Sequence, residues 1–164
     1  MKYPRLSLDK IIKIWYYITM KALSIDALYA TAIATNLKTI ETRSWPTTYR
    51  GEILICSTAN KQGLSEIKDS LIFGHALAIA TIADCQKFKN SDRQKAMVDD
   101  DIDMQNMYSW HLSDIKPIKP IPIKGQQRIY NTDIKKSDLE ILDIKNDDDL
   151  FKYWHENKLI KELP

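Results

Sequence analysis

Residues 37–57 read LKTIETRSWPTTYRGEILICS, a stretch with strand-forming residues near both ends and turn-forming residues between them. Branched aliphatic residues and threonines at the two ends are typical of β-strands. Trp45-Pro46 requires an extended or turning backbone, because proline fixes φ and donates no backbone hydrogen bond. Gly51 permits a second tight bend. The stretch therefore predicts two strands that flank a polar loop.

This loop and its flanks concentrate groups that could bind a ligand. The groups are aromatic, ammonium, guanidinium and carboxylate side chains, carried by Lys38, Glu41, Arg43, Trp45, Tyr49 and Arg50. Such a mixture suits a site that holds a flat polar ligand beside a phosphate. A purely structural interpretation is also open, in which Trp45 caps a small barrel and the arginines pair with nearby glutamates.

The composition indicates one globular domain. A chain of 164 residues can bury a sizeable core, and its 44% hydrophobic and 28% charged residues are ordinary for a soluble protein. The formal net charge of +2 is too small for bulk capture of nucleic acid, so any such binding requires a local patch.

The cysteines and the most apolar segment indicate a cytoplasmic protein. Cys56 and Cys85 lie in apolar runs without metal-ligand spacing, so we expect buried free thiols in a reducing compartment. The apolar run at residues 11–20 is too short to span a bilayer. We expect no membrane association and no cofactor.

Hydrophobic periodicity predicts the elements on either side of the opening stretch. Residues 1–19 predict a helical extension that packs on the main body, and residues 21–25 a short strand. A helix over 27–35 would be capped by Asp26. A loop with a short helix is expected over 59–72.

The second half of the chain begins with an almost wholly apolar run over 76–85, which predicts the central strand of the sheet. Residues 86–107 predict an irregular segment whose aspartates, at 99–101 and 103, form a solvated loop rather than a metal site. An amphipathic helix is expected to begin near Asp147 and to contain Trp154.

A second informative stretch runs from residue 108 to residue 130. Its three prolines cannot donate to a ladder, which predicts an edge strand or an extended crossover. Lysines along it would deter edge-to-edge pairing. Residues suited to stacking, phosphate contact or base-edge pairing are Tyr108, Trp110, Lys124, Gln126 and Gln127.

Together these stretches resemble the ASCH domain family of the PUA-like superfamily. The match consists of KALSI at 21–25, NLKTIETRSWP at 36–46, YRGEILI at 49–55, ADC at 83–85, and YSWHL with KPIPIKGQQ within 108–127. The resemblance covers residues 20–130, which leaves 1–19 and 131–164 as extensions, the latter ending in a helix packed on the same domain. It implies an α+β fold, a small and mostly antiparallel PUA-like β-barrel with peripheral helices.

The resemblance also implies a function related to RNA. Related PUA-like domains bind RNA or modified bases, and a branch of small ASCH proteins hydrolyses the acetyl amide of N4-acetylcytidine with a lysine, a threonine and a glutamate. Lys38 matches that lysine, but Glu41 stands where the threonine is expected and Thr81 where a glutamate is common. The family's motif after the first strand is also altered, to DALY at 26–29.

We therefore expect a cleft that binds single-stranded RNA or a modified nucleoside. An unstacked base would lie against an aromatic ring, Lys38, Arg50 and Lys124 would contact phosphate, and the glutamines would contact a base edge. The alternative is an amidohydrolase with Lys38 as nucleophile or base, Glu41 or Asp84 moving protons, and a hydroxyl of Thr39 or Ser109 assisting. A ribonuclease is a third possibility. The recognised base and the oligomeric state stay open.

Overall fold

The computed structural model describes residues 7–11, 18–144 and 146–164. Its strands are β1 (Thr19–Ile25), β2 (Ile40–Arg43), β3 (Gly51–Ser57), β4 (His75–Lys87), β5 (Tyr108–Pro122) and β6 (Ile129–Lys135). Its helices are α1 (Ala27–Ala34), α2 (Arg93–Ala96) and α3 (Asp147–Glu156). Short 3₁₀ helices lie at Lys68–Ser70, Asn90–Asp92 and Lys136–Asp138.

The six strands form one curled sheet, a half-barrel, in the order β2-β5-β4-β3-β1-β6. All neighbouring strands are antiparallel except β1 and β3, which run parallel with Ala22 opposite Leu54. The prediction of a mostly antiparallel, PUA-like α+β fold is confirmed, with the one parallel pair as a minor difference. No helix in the described part of the chain is both long and apolar enough to cross a membrane.

The core lies on both faces of the sheet because the central strands are apolar along their whole length. In β3, Ile53 and Ile55 belong to one buried cluster, while Leu54 and Cys56 belong to the other. This division follows the two-residue period of a strand. β4 lies third in the sheet, between β5 and β3, as its apolar sequence predicts.

Two helices close the larger cluster. α1 begins at its cap, where the Asp26 carboxylate accepts from the Leu28 amide at 3.0 Å, and it contributes Ile33 to the core. α3 contributes Leu150 and Trp154 to the same cluster. The C-terminal segment therefore packs on the sheet rather than beside it.

Two predicted helices differ from the structure. The segment 59–72 contains only the 3₁₀ turn at Lys68–Ser70, since its apolar residues are too few to bury a longer helix. The predicted N-terminal helix falls largely on residues 12–17, which lie outside the described residues. Ile11 and Ile18, on its predicted apolar face, are exposed rather than packed on the main body.

The proline-rich strand is an edge over only part of its length. Residues 108–111 of β5 pair with β2 on one side and with β4 on the other, so this part is interior. Beyond it, the side away from β4 is met by the segment 140–142, where the Leu142 amide donates to the Pro117 carbonyl at 2.9 Å. The edge prediction is therefore wrong for the first part of β5, which lacks proline and keeps its donors.

The packing of α3 yields a test of stability. Trp154 is fully buried and makes an edge-on contact with Phe151 at 5.5 Å between ring centroids. Replacing it by alanine should lower the free energy of unfolding by about 3–5 kcal/mol, because a large core side chain is lost. Urea denaturation would measure this, with the exposed Lys152→Ala as control. A Trp154→Ala cost no larger than that of the control would contradict the packing of α3 on the core.

Candidate ligand-binding cavity

A cavity of about 580 Å³ opens where the ends of β1 and β2 meet the segment that follows α2. Ser24 and Ile25 contribute from the end of β1, and Tyr29 from α1. Lys38 and residues 41–43 contribute the side formed by β2. A volume of this size lies within the range of about 300–1,000 Å³ typical of small-molecule sites.

Three charged side chains meet at one wall of this cavity. Arg43 Nε lies 3.1 Å from one carboxylate oxygen of Glu41, and Lys38 Nζ lies 3.7 Å from the other. Lys38 is only 2% exposed and Glu41 only 6%. The buried carboxylate is thus held between two cations, which offset much of the cost of removing it from water.

Burial shifts the ionisation of this group in opposite directions for its members. It lowers the pKa of Lys38 because the ammonium loses hydration, an effect larger than the opposing attraction of Glu41. Burial raises the pKa of Glu41, and the positive charges of Arg43 and Lys38 work against that rise. Perturbed buried groups that line a cavity are typical of functional sites.

The opposite wall is the segment 96–107, which has no strand or long helix. Met97, Met104 and Met107 give it a flexible apolar surface. Lys38 Nζ donates to the Ala96 carbonyl, and Arg93 donates to the carbonyls of residues 99 and 102. The two cations therefore attach this wall to the rest of the domain.

A rim of aromatic and polar residues adjoins the cavity. Arg43 Nη2 donates to the Ser24 carbonyl at 3.0 Å, and the loop 124–128 lies against Ser24. A Cβ added at Gly125 would lie 2.8 Å from Ser24 Oγ, so only glycine allows this close approach. The Arg128 guanidinium lies over the Trp45 ring at 5.1 Å.

The structure brings together some of the predicted site residues. Lys38, Glu41 and Arg43 line the cavity. Trp45 is half-buried beside Arg128, and the loop 124–128 carries Lys124, Gln126 and Gln127 as exposed side chains. These last residues are placed by the contact of Gly125 with Ser24.

Other predicted residues lie elsewhere. Trp110 is fully buried and packs edge-on against Trp45 at 4.6 Å, so its ring offers no face for a base. Tyr49 and Arg50 line a separate cavity. Arg50 pairs with Asp84, also outside the main cavity, at 3.2 Å. Tyr108 is half-buried beneath the Lys87 ammonium at 4.2 Å.

The predicted hydroxyls are also outside the cavity. The strand alternation that turns Glu41 inwards directs Thr39 away, and Thr42 lines the cavity instead. Ser109 is buried and donates to Asp92 at 2.6 Å. Thr81 pairs with Glu52 on β3, so an acid at that position would not line the cavity.

Sequence reasoning missed part of the site. Tyr29 lines the cavity, and the Lys38 ammonium lies 5.1 Å from its ring centroid. The signal was the altered motif at 26–29, which places an aromatic residue on the first turn of α1. The methionines of the segment 96–107 carried no periodic signal. Within the described ranges, no three His, Cys, Asp or Glu side chains gather as metal ligands.

Fold and cavity define a small PUA-like half-barrel with a polar pocket at one end of the sheet. A family model described as the ASCH domain matches residues 23–122. The chain belongs to the ASCH domain family, whose members are generally associated with RNA binding.

Solved structures are similar in fold. The ASCH protein from Zymomonas mobilis has a TM-score of 0.51 and 16% identity, covering 73% of this chain and 90% of that one. A tyrosine-to-phenylalanine mutant of the protein, ZmASCH, has a TM-score of 0.51 and 16% identity, covering 74% and 94%. A search of curated proteins found no match.

The buried charges yield a test by NMR titration of lysine side-chain ammonium groups. Lys38 should titrate below its usual value of 10.5, and lower still in Glu41→Gln, because the attraction of the carboxylate is lost. Between the folded pKa and 10.5 the unfolded chain binds more protons, so this lysine makes stability rise with pH. Lys161 serves as control, since its pKa is raised by Asp69. Titration of Lys38 at 10.5 or above would contradict its burial.

Proposed function

We propose that the cavity binds a nucleobase, either of single-stranded RNA or of a modified nucleoside. The observation that carries this proposal is the pairing of Glu41 and Arg43 at the cavity wall. A carboxylate accepts from exocyclic amino groups, and a guanidinium donates to ring and carbonyl acceptors. The two side chains together could therefore contact both donors and acceptors on a base edge.

Unused hydrogen-bonding capacity supports the proposal. Arg43 has five N–H donors, of which Nε faces Glu41 and Nη2 contacts Ser24. Its Nη1 makes no hydrogen bond to any described residue. The hydroxyls of Thr42 and Thr58 also line the cavity and add polar atoms that can adapt to either role.

Aromatic and apolar surfaces support the same ligand class. Tyr29 is 39% exposed at the cavity, so part of its ring is open to a flat ligand. The methionines opposite it could contact the second face of a base. Outside the cavity, Trp45 with Arg128 and the glutamines of the loop 124–128 could contact a neighbouring nucleotide.

Replacing Arg43 by methionine should weaken binding of the preferred nucleoside or short RNA at least about ten-fold, because hydrogen bonds to a charged group contribute about 1.5–3 kcal/mol. Calorimetric titration against a nucleoside panel and a short single-stranded RNA would measure this. Arg50→Met is the matched control, since Arg50 is exposed and outside the cavity. Equal losses in the two variants would mean that general charge, and not this cavity, holds the ligand.

Amide hydrolysis is a second candidate function, favoured by the lowered pKa of Lys38 beside Glu41. A less basic amine is neutral more often and can act as a base or nucleophile. In the reaction, water would add to the acetyl carbonyl of N4-acetylcytidine and the C–N bond would break. Acetate and cytidine would form, with Glu41 transferring a proton to the leaving amine.

Chromatography of N4-acetylcytidine incubated with the protein tests this candidate. Turnover should fall by about 10²- to 10⁴-fold in Lys38→Met, the range expected for loss of a general acid or base. The exposed Lys116→Met should retain it. Circular dichroism would establish that both variants fold. Retained turnover in Lys38→Met would remove Lys38 from the mechanism, and absence of turnover in the unaltered protein would leave binding alone.

A further inference from the structure

A second cavity of about 390 Å³ carries an excess of positive charge. Its wall contains three lysines, Lys61, Lys68 and Lys161, and a single acidic residue, Asp69. Lys161 pairs with Asp69 at 2.9 Å, whereas Lys61 and Lys68 form no ion pair with any described residue. We call this cavity the lysine basin. It is formed jointly by the segment 61–73 and the C-terminal residues 159–161.

The lysine ammonium groups converge on one place. The pKa of Asp69 lies below its usual value because Lys161 donates to it and because Lys68 and Lys61 add positive potential. The Lys61 ammonium also lies 5.2 Å from the centroid of the Phe73 ring, which lines the same basin. Cations beside an aromatic ring are typical of sites that contact a nucleic-acid backbone.

A third cavity of about 440 Å³ lies between the basin and the candidate site. It shares Met97 with the candidate site and Leu71 with the lysine basin. Its surface is largely apolar, and Leu37 and Ile67 on it are 57% and 39% exposed. Glu66 and Glu162 lie on the same surface, so a phosphate would be repelled from this middle cavity but not from the basin.

The middle cavity also contains an unsatisfied polar group. Thr31 is 4% exposed, and its hydroxyl has no hydrogen-bond partner in the described part of the chain. Buried polar atoms are nearly always paired, so one left without a partner beside a cavity indicates a position for a ligand atom. A base laid on the apolar surface could supply that partner.

We propose that the three cavities form one track for single-stranded RNA, with the lysine basin binding a backbone phosphate. The inference rests on the proposed function and extends it from one nucleotide to several. One base occupies the candidate site, the next lies on the middle cavity with a polar atom at Thr31, and the strand then meets the lysines. The preferred ligand is accordingly an oligonucleotide rather than a free nucleoside.

Fluorescence anisotropy with single-stranded RNA of increasing length, from one nucleotide to about ten, tests this inference. Affinity should rise with length in the unaltered protein. The double variant Lys61→Gln/Lys68→Gln should lose that rise while binding the mononucleotide normally. Its salt slope should fall by about 0.7 for each lost phosphate contact, or about 1.4 in all, which is a seven-fold smaller ratio of affinities between about 50 and about 200 mM salt.

The double variant Lys116→Gln/Lys119→Gln is the matched control, because it removes the same charge from β5 outside all three cavities. Equal losses in the two double variants, or an affinity independent of length, would overturn the track and leave the proposed function standing. Competition by inorganic phosphate against long RNA but not against the mononucleotide would support the basin as a phosphate site. Binding of inorganic phosphate without any effect on long RNA would overturn its assignment to RNA. Absence of binding to every nucleoside and RNA would overturn the proposed function itself.

Discussion

The buried carboxylate of Glu41 is the constraint on which the cavity depends. It lies between Lys38 and Arg43, and each of these cations holds a second part of the chain: Lys38 the Ala96 carbonyl, and Arg43 the Ser24 carbonyl. Removing one member of such a buried group typically costs about 3–5 kcal/mol, because the remaining charge stays buried without its partner. One carboxylate therefore joins β2, the end of β1 and the wall formed by residues 96–107.

Sequence reasoning identified these charged residues but not which of their neighbours share the cavity. Glu41 and Arg43 are two residues apart on β2 and face the same way, as strand geometry requires. Lys38 precedes the strand, so the alternation does not extend to it. Trp45 and Trp110 have similar sequence surroundings, yet only Trp45 is partly exposed. That difference depends on β5 pairing with both β2 and β4, a long-range arrangement that no local pattern reveals.

The strands were predictable because their apolar runs are long and uninterrupted, and α1 because Asp26 marks its start. The wall formed by residues 96–107 was not predictable, since it depends on hydrogen bonds from Lys38 and Arg93 rather than on periodicity. The edge of β5 shows a similar limit. Its prolines correctly indicated missing ladder donors, but the strand pairing of residues 108–111 and the cover supplied by residues 140–142 are decided elsewhere in the chain.

The position of β1 in the sheet has a consequence for synthesis of the chain. β1 lies between β3 and β6, and Lys21 is opposite Asn131, so its second neighbour is more than one hundred residues away. At about 5–20 residues per second, the ribosome needs several seconds to deliver β6 after β1 has emerged. During that interval β1 exposes a row of unpaired backbone groups, the kind of edge to which a second chain can add. Early pairing with β3 and the lysine within β1 would limit such association until β6 arrives.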